Sequence, residues 1–290
     1  MDWLTTTIGA ETLEHLEETL NLWVFGLGLV LLGIELIRYR LRAQLDWTLV
    51  GDTATNFVTS ILFSIVTFIL FLAFYIAGLS FAAQFAIFDI ETNLLTVIAC
   101  IILADFTYYW EHRFSHRVAI AWATHTVHHS SPHFNISVAY RFGPMDAFWT
   151  VFFIAPLVLL GFDFTTVIFA EACVLIYQTF LHTETIGKLP RPIEAVFNTP
   201  SHHRVHHGQN PEYIDKNYGG MLIIWDRLFG TFAKEKEPVV FGITDPVNSV
   251  NPFVVFLHGL TRLWRQAAST EGWGNRLVML FKPPGDSKAT

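Results

Sequence analysis

Five stretches of the chain are apolar almost without a break: residues 20–37, 54–79, 93–111, 146–161 and 163–182. Hydrocarbon about 30 Å thick takes roughly 20 helical residues to cross, so all five qualify or nearly qualify as membrane spans. The last two are separated only by Gly161-Phe162-Asp163, which predicts a tight helical hairpin. Beyond residue 183 the chain is too polar and too rich in Gly, Pro and Asn for further spans. This tail is expected to cap the helix ends. The predicted fold is an all-α integral membrane protein with about four to five transmembrane helices, one membrane domain over 1–290, and a cytoplasmic helical cap.

The basic residues orient it. No Lys or Arg occurs in 1–37, in 80–92 or around 161–163. All 18 fall in the alternate segments: Arg38, Arg40 and Arg42, then Arg113, Arg117 and Arg141, then everything from Lys188 to Lys288. Positive residues stay on the cytoplasmic side, so five spans place the N-terminus outside, with the loop 112–144 and the tail 183–290 in the cytoplasm.

Composition agrees. Charged residues make up 15% of the chain, against about 25% in soluble domains. The net charge of −7, with no basic stripe, excludes nucleic acid as a partner. Cys100 and Cys173 lie inside apolar runs and support neither a disulfide framework nor a zinc ribbon. Five acidic residues and no Lys or Arg in the first 20 positions do not fit a cleavable signal peptide. No internal repeat and no cytochrome b5-like or ferredoxin-like module is visible, so an external electron donor is expected for any redox chemistry.

The candidate chemistry is histidine. Eleven of the 13 histidines lie between His112 and His207. His112 and His116 close the third span; His125, His128 and His129 follow; His203, His206 and His207 form a third cluster. Residues at i, i+3 and i+4 share a helix face, so each cluster can aim its imidazoles at one centre. His182, ending the fifth span, makes a ninth candidate ligand. His202 could pair with His206 but reads better as a supporting residue. His133 fits no common face with the second cluster, and His15 and His258 stand alone as surface residues. Imidazole suits Fe, Zn, Cu and Ni. A structural zinc needs only four ligands, so eight or nine argue for two ions and against a merely zinc-stabilised membrane protein. A metal transporter would place ligands along its spans near the midplane, where only Glu171 is a candidate.

Two carboxylates accompany the histidines. Asp105, Tyr109, His112 and His116 share one helix face, as do Glu171, Gln178 and His182. Ionisable residues in a span are expensive and usually face the bundle interior. Asp105 is expected either to accept a ligand imidazole N–H, fixing its tautomer, or to sit among headgroups. Glu171 is a catalytic candidate or a buried structural hydrogen bond. Tyr108, Tyr109 and Trp110 read as an interfacial aromatic belt or as channel wall.

The run Asp105-Phe-Thr-Tyr-Tyr-Trp-Glu-His-Arg-Phe-Ser-His116, then His125-Thr-Val-His-His129, then His203-Arg-Val-His-His207 resembles the fatty acid hydroxylase/sterol desaturase superfamily, over residues 93–232. The stretches Asn198–Gly208, Ile214–Gly220 and Ile224–Thr231, with His128-His129-Ser130-Ser131, are most similar to its alkylglycerol monooxygenase-like bacterial members. The resemblance implies a catalytic region holding two iron ions, molecular oxygen, and a lipid substrate such as a fatty acyl, ether-lipid or sterol-like chain. It further implies either a tetrahydropterin or an external electron-transfer protein as reductant, and a place among the lipids of a bacterial inner membrane. Hydroxylation and desaturation share these ligands; the third cluster favours hydroxylation.

Overall fold

Residues 4–284 are described by the computed structural model, whose regular elements are helices, with two isolated β-bridges among those residues. Helix α1 runs Ala10–Leu41. Helix α2, Trp47–Val66, passes through a single π turn at Thr67–Phe71 into α3, Leu72–Ala83. Helix α4 is Leu94–Arg117. These three rods are long and apolar enough to cross a membrane. Helices α6, Asp146–Leu160, and α7, Phe164–Thr179, have 15 and 16 residues, short of the roughly 20 a perpendicular crossing takes. The predicted last two spans are thus apolar helices of reduced length.

Local chemistry sets the boundaries. The Asp46 carboxylate accepts from Leu49 N at 2.8 Å and starts α2. Asn93 and Thr96 form a reciprocal capping box at the head of α4. Between α6 and α7 the chain reverses at Gly161, where φ is +110° and an added Cβ would lie 2.0 Å from the Phe88 carbonyl oxygen. Only glycine fits there. Asp163 then caps α7 through Thr165 N.

The main core joins α3, α4, α6 and α7 through Leu79, Cys100, Leu157, Val167 and Val174. The outer faces are bare: within the apolar window of Trp47–Ala83 only 6% of residues are buried. Phe68 and Ile69 are among those exposed. Burial of such a side chain is worth about 1.5–3 kcal/mol, so these faces call for an apolar surrounding.

The remaining elements gather at the far end of α4. Helix α5, Ala119–His129, follows α4 directly, and a 3-10 turn covers Ile136–Tyr140. Short helices α8, Arg191–Val196, α9, Pro200–His206, and α10, Ile224–Phe229, follow α7. Helices α11, Pro252–Ser269, and α12, Trp273–Phe281, complete the cap. Helix α11 lies so close on α5 that a Cβ at Gly259 would stand 2.0 Å from the Ala123 carbonyl oxygen.

Candidate metal centre

Four segments carry the histidines to one place. His112 and His116 end α4, His125, His128 and His129 end α5, His182 follows α7, and His203, His206 and His207 span α9 and its cap. Helix α9 is started by Thr199, whose hydroxyl faces His202 N, and by Pro200 in the first turn. Their side chains form two groups. His112, His116, His125, His129 and His206 bring one nitrogen each within 4.8 Å of one another; His128, His182, His203 and His207 do the same.

This division departs from the expectation of one centre per cluster. At about 100° per residue, positions i and i+4 diverge by about 40° while i+3 turns about 60° the other way. Accordingly His125 and His129 enter the first group and His128 the second, while His203 and His207 enter the second and His206 the first. Helices α5 and α9 each stand between the groups and serve both. The groups adjoin: the His129 and His207 rings stack with centroids 4.3 Å apart.

The donor set has the character of a cation site. His112, His128, His182 and His206 each place Nδ1 on a backbone carbonyl, of Tyr218, Arg141, Gln178 and Lys216, at 2.9–3.1 Å. A carbonyl cannot donate, so Nδ1 carries the proton and Nε2 presents a lone pair. Nε2 of His182 faces Nε2 of His128 at 3.2 Å, lone pair to lone pair. The Nε2 atoms of His116, His129, His206 and His207 are buried with no hydrogen-bond partner, an arrangement native interiors rarely leave unexplained. Burial pushes His128 down to about 4. Burial, then neighbouring imidazoles, holds His129, His203 and His207 well below the usual histidine range. Neutral, desolvated imidazoles converging in two groups, four of them fixed with the Nε2 lone pair free, fit two metal ions.

Buried polar residues of the long helices tie down the segments behind these rings. On α1, Glu35 accepts from Ile136 N at 2.9 Å and from the Thr183 hydroxyl, next to His182. On α2, Asp52 and Asn56 hold the buried guanidinium of Arg141 at 2.9 and 2.6 Å, and the Arg141 carbonyl receives His128. On α4, Asp105 accepts from Met221 N, Leu222 N and Trp225 Nε1. Asp226 accepts from Tyr218 N and Gly219 N at 2.8 and 2.7 Å, fixing the carbonyl that receives His112. These acceptors leave one sequence signal, a charged or amide side chain inside an apolar helix, and Glu35, Asp52 and Asn56 carried it unnoticed.

The expected bond between Asp105 and an imidazole is therefore replaced: both its oxygens are engaged by the α10 segment, and four of the nine imidazoles rest on main-chain carbonyls instead. Glu171 accepts the Tyr75 hydroxyl at 2.6 Å and links α7 to α3. His202 is buried against Glu194, at 2.9 Å, outside both groups. His133 and His258 also lie outside them. Tyr109 is fully buried against Tyr218 and Phe229, whereas Trp110 is exposed. A cavity of about 430 Å³ reaches His116, His129, His206 and His207 between α5 and α11, with Trp122 in its wall.

Comparison with known proteins adds a second line. Residues 97–231 match the family described as Fatty acid hydroxylase. Alkylglycerol monooxygenase of Xenopus tropicalis is 45% identical over 183 residues, covering 62% of this chain and 40% of that protein. The Homo sapiens alkylglycerol monooxygenase is 45% identical over 181 residues, with the same coverage. Ornithine lipid hydroxylase OlsE of Rhizobium tropici is 32% identical over 157 residues, 52% of this chain and 46% of that protein. The chain thus spans less than half the length of these curated relatives. No solved structure matches it significantly.

Proposed function

We propose that the chain, whose residues 97–231 match the Fatty acid hydroxylase family, is a membrane-bound, non-haem diiron oxygenase that uses O2 to hydroxylate a lipid. The observation that carries this reading is the pair of adjoining histidine groups, in which the Nε2 atoms of His116, His129, His206 and His207 are buried without a hydrogen-bond partner. Iron bound there would supply the oxidising power that attack on an unactivated C–H bond demands.

The chain's own residues do the rest. The carbonyls of Tyr218, Arg141, Gln178 and Lys216 hold four imidazoles in the Nδ1–H tautomer, the outer support that metal-ligating histidines usually have. Burial keeps the rings neutral and available. Asp105 positions the Tyr218–Leu222 segment, and Glu171 braces α7, the helix that leads to His182. In this reading the three long helices and the α6–α7 hairpin sit in a bacterial inner membrane, with the N-terminus outside and the cap in the cytoplasm. The substrate is a fatty acyl, ether-lipid or sterol-like chain from the bilayer. Reducing equivalents come from the cytoplasm, from a tetrahydropterin or an electron-transfer protein. Hydroxylation rather than desaturation is supported by relatives named as a monooxygenase and a lipid hydroxylase.

The test is a mass measurement. Iron-loaded protein, reductant, lipid extract and isotope-labelled oxygen should yield lipids heavier by one labelled oxygen. Lipids lighter by two hydrogens would make the enzyme a desaturase. No change with either reductant would overturn the oxygenase reading.

A further inference from the structure

The α11–α12 hairpin buries only part of its apolar surface. Helix α11 turns Val255, Phe256, Gly259 and Leu263 inward and leaves Phe253, Leu257 and Trp264 exposed along one stripe. Helix α12 packs Met279 and Leu280 beside α5 and leaves Trp273, Leu277, Val278 and Phe281 outside. Trp264 is 74% and Trp273 78% exposed. Large apolar side chains left bare on two successive helices mark an interaction surface.

Three observations say what covers it. The hairpin starts beside the first turns of α2: the Thr55 hydroxyl bonds the Val250 carbonyl at 2.5 Å, and Val250 packs on Gly51. Trp47 and Val50, in that same stretch of α2, are themselves exposed, so the patch continues the bare apolar surface of the α2–α3 rod. The charge is one-sided: residues 252–284 hold Arg265, Arg276 and Lys282 beside Arg262, which pairs with Asp245 at 3.1 Å, against the single acid Glu271. Tryptophan beside an apolar stripe with a basic edge is the composition of a helix lying in a membrane interface.

We propose that the α11–α12 hairpin lies in the headgroup layer of the leaflet where α2 begins, its exposed stripe among the upper acyl carbons and its basic residues among anionic headgroups. The proposal rests on the membrane reading above. It adds that the cap is seated on the bilayer rather than standing clear of it. Since Gly259 and Leu263 also line the cavity that reaches the histidines, the seated hairpin brings one wall of that cavity to headgroup level.

Spin labels on single cysteines test this in the full metal-loaded chain, with Cys100 and Cys173 replaced by alanine, in nanodiscs containing phosphatidylglycerol. Labels at Leu277→Cys and, independently, Trp264→Cys should collide with oxygen several-fold more than with a nickel chelate. That pattern should match a reference label at Phe68→Cys on the α2–α3 rod and oppose one at Glu212→Cys on the cap surface. Nickel access at 277 and 264 with a lipid-like label at 68 would overturn the proposal and leave the membrane reading standing. Shielding of both from either reagent would mean a covering protein or second copy, and would overturn it equally. Nickel access at 68 would remove the membrane reading and the proposal together. Replacing phosphatidylglycerol with phosphatidylcholine should lower the ratio at 277; an unchanged ratio would overturn the anionic headgroup assignment.

Discussion

Nε2 of His128 and Nε2 of His182 face each other at 3.2 Å while each ring gives its Nδ1 proton to a main-chain carbonyl, of Arg141 and Gln178. Two lone pairs in contact in a dry interior repel. His203 adds its own Nε2 at 2.9 Å from that of His182. A shared cation turns the repulsion into coordination, which is why the second group reads as a site even though it has fewer members than the first.

The division into groups predicts metal stoichiometry. His128→Ala removes a member of the second group and His129→Ala a member of the first, although the two are neighbours in sequence. Each variant should retain about one of two bound ions, and each should lose oxygenation. Metal analysis on purified protein decides it. Two ions retained in either variant would show that its histidine is not a ligand.

Arg141 predicts a stability effect. Its guanidinium is 1% exposed and bonded to Asp52, Asn56, Ser130 and the Val127 carbonyl. Removing one partner of a buried pair typically costs about 3–5 kcal/mol, because the other charge is stranded. Arg141→Met should therefore destabilise strongly, and Arg141→Met with Asp52→Asn should recover part of the loss. Thermal midpoints of the two variants are the check. Equal midpoints would mean that the pair is not coupled.

Much of this centre was legible in the chain because helical phasing is a property of spacing alone. His112 with His116, and His125 with His129, had to share faces once those segments were helical. The parting of His128 and His206 from their neighbours follows the same phasing; which histidines each then joins was not legible, since it depends on how the four segments are placed together. The carbonyls of Tyr218 and Lys216 left no trace either, because any residue supplies one. Asp105 was legible as a buried acceptor, but its partners lie 116–120 positions away, beyond any local pattern. In the fold, hydropathy marked the apolar stretches and missed where helices end: α1 starts at Ala10 and α4 continues to Arg117, over polar faces that hydropathy does not count.

The proposed orientation predicts opposite fates for the two ends. All 18 Lys and Arg residues fall in alternate segments, and such segments stay cytoplasmic. A tag before Met1 should be reached by an impermeant reagent in intact cells, and a tag after Thr290 should not. Helices α6 and α7, at 15 and 16 residues, do not alter this outcome if they enter and leave as a hairpin. Both tags on one side would remove a crossing from the three long rods.

Asp105 predicts the clearest separation of positioning from ligation. Its carboxylate takes three donors, Met221 N, Leu222 N and Trp225 Nε1, just past the Tyr218 carbonyl that receives His112. Asparagine has one acceptor oxygen, and its amide N–H2 would face an N–H, so Asp105→Asn leaves at least one buried donor unmet at about 1–3 kcal/mol. The α10 segment loosens and His112 loses its fixed orientation, but every histidine remains. Weakened outer support of this kind lowers metal affinity or activity about 10–100-fold. Asp226→Asn should behave alike, since Asp226 holds Tyr218 N and Gly219 N. His112→Ala instead deletes a donor nitrogen and should empty the first group. Metal titration and turnover measured together on the three variants separate the roles. Asp105→Asn with wild-type affinity and turnover would show that the carboxylate does not position the centre. Asp105→Asn as metal-poor as His112→Ala would make it a ligand.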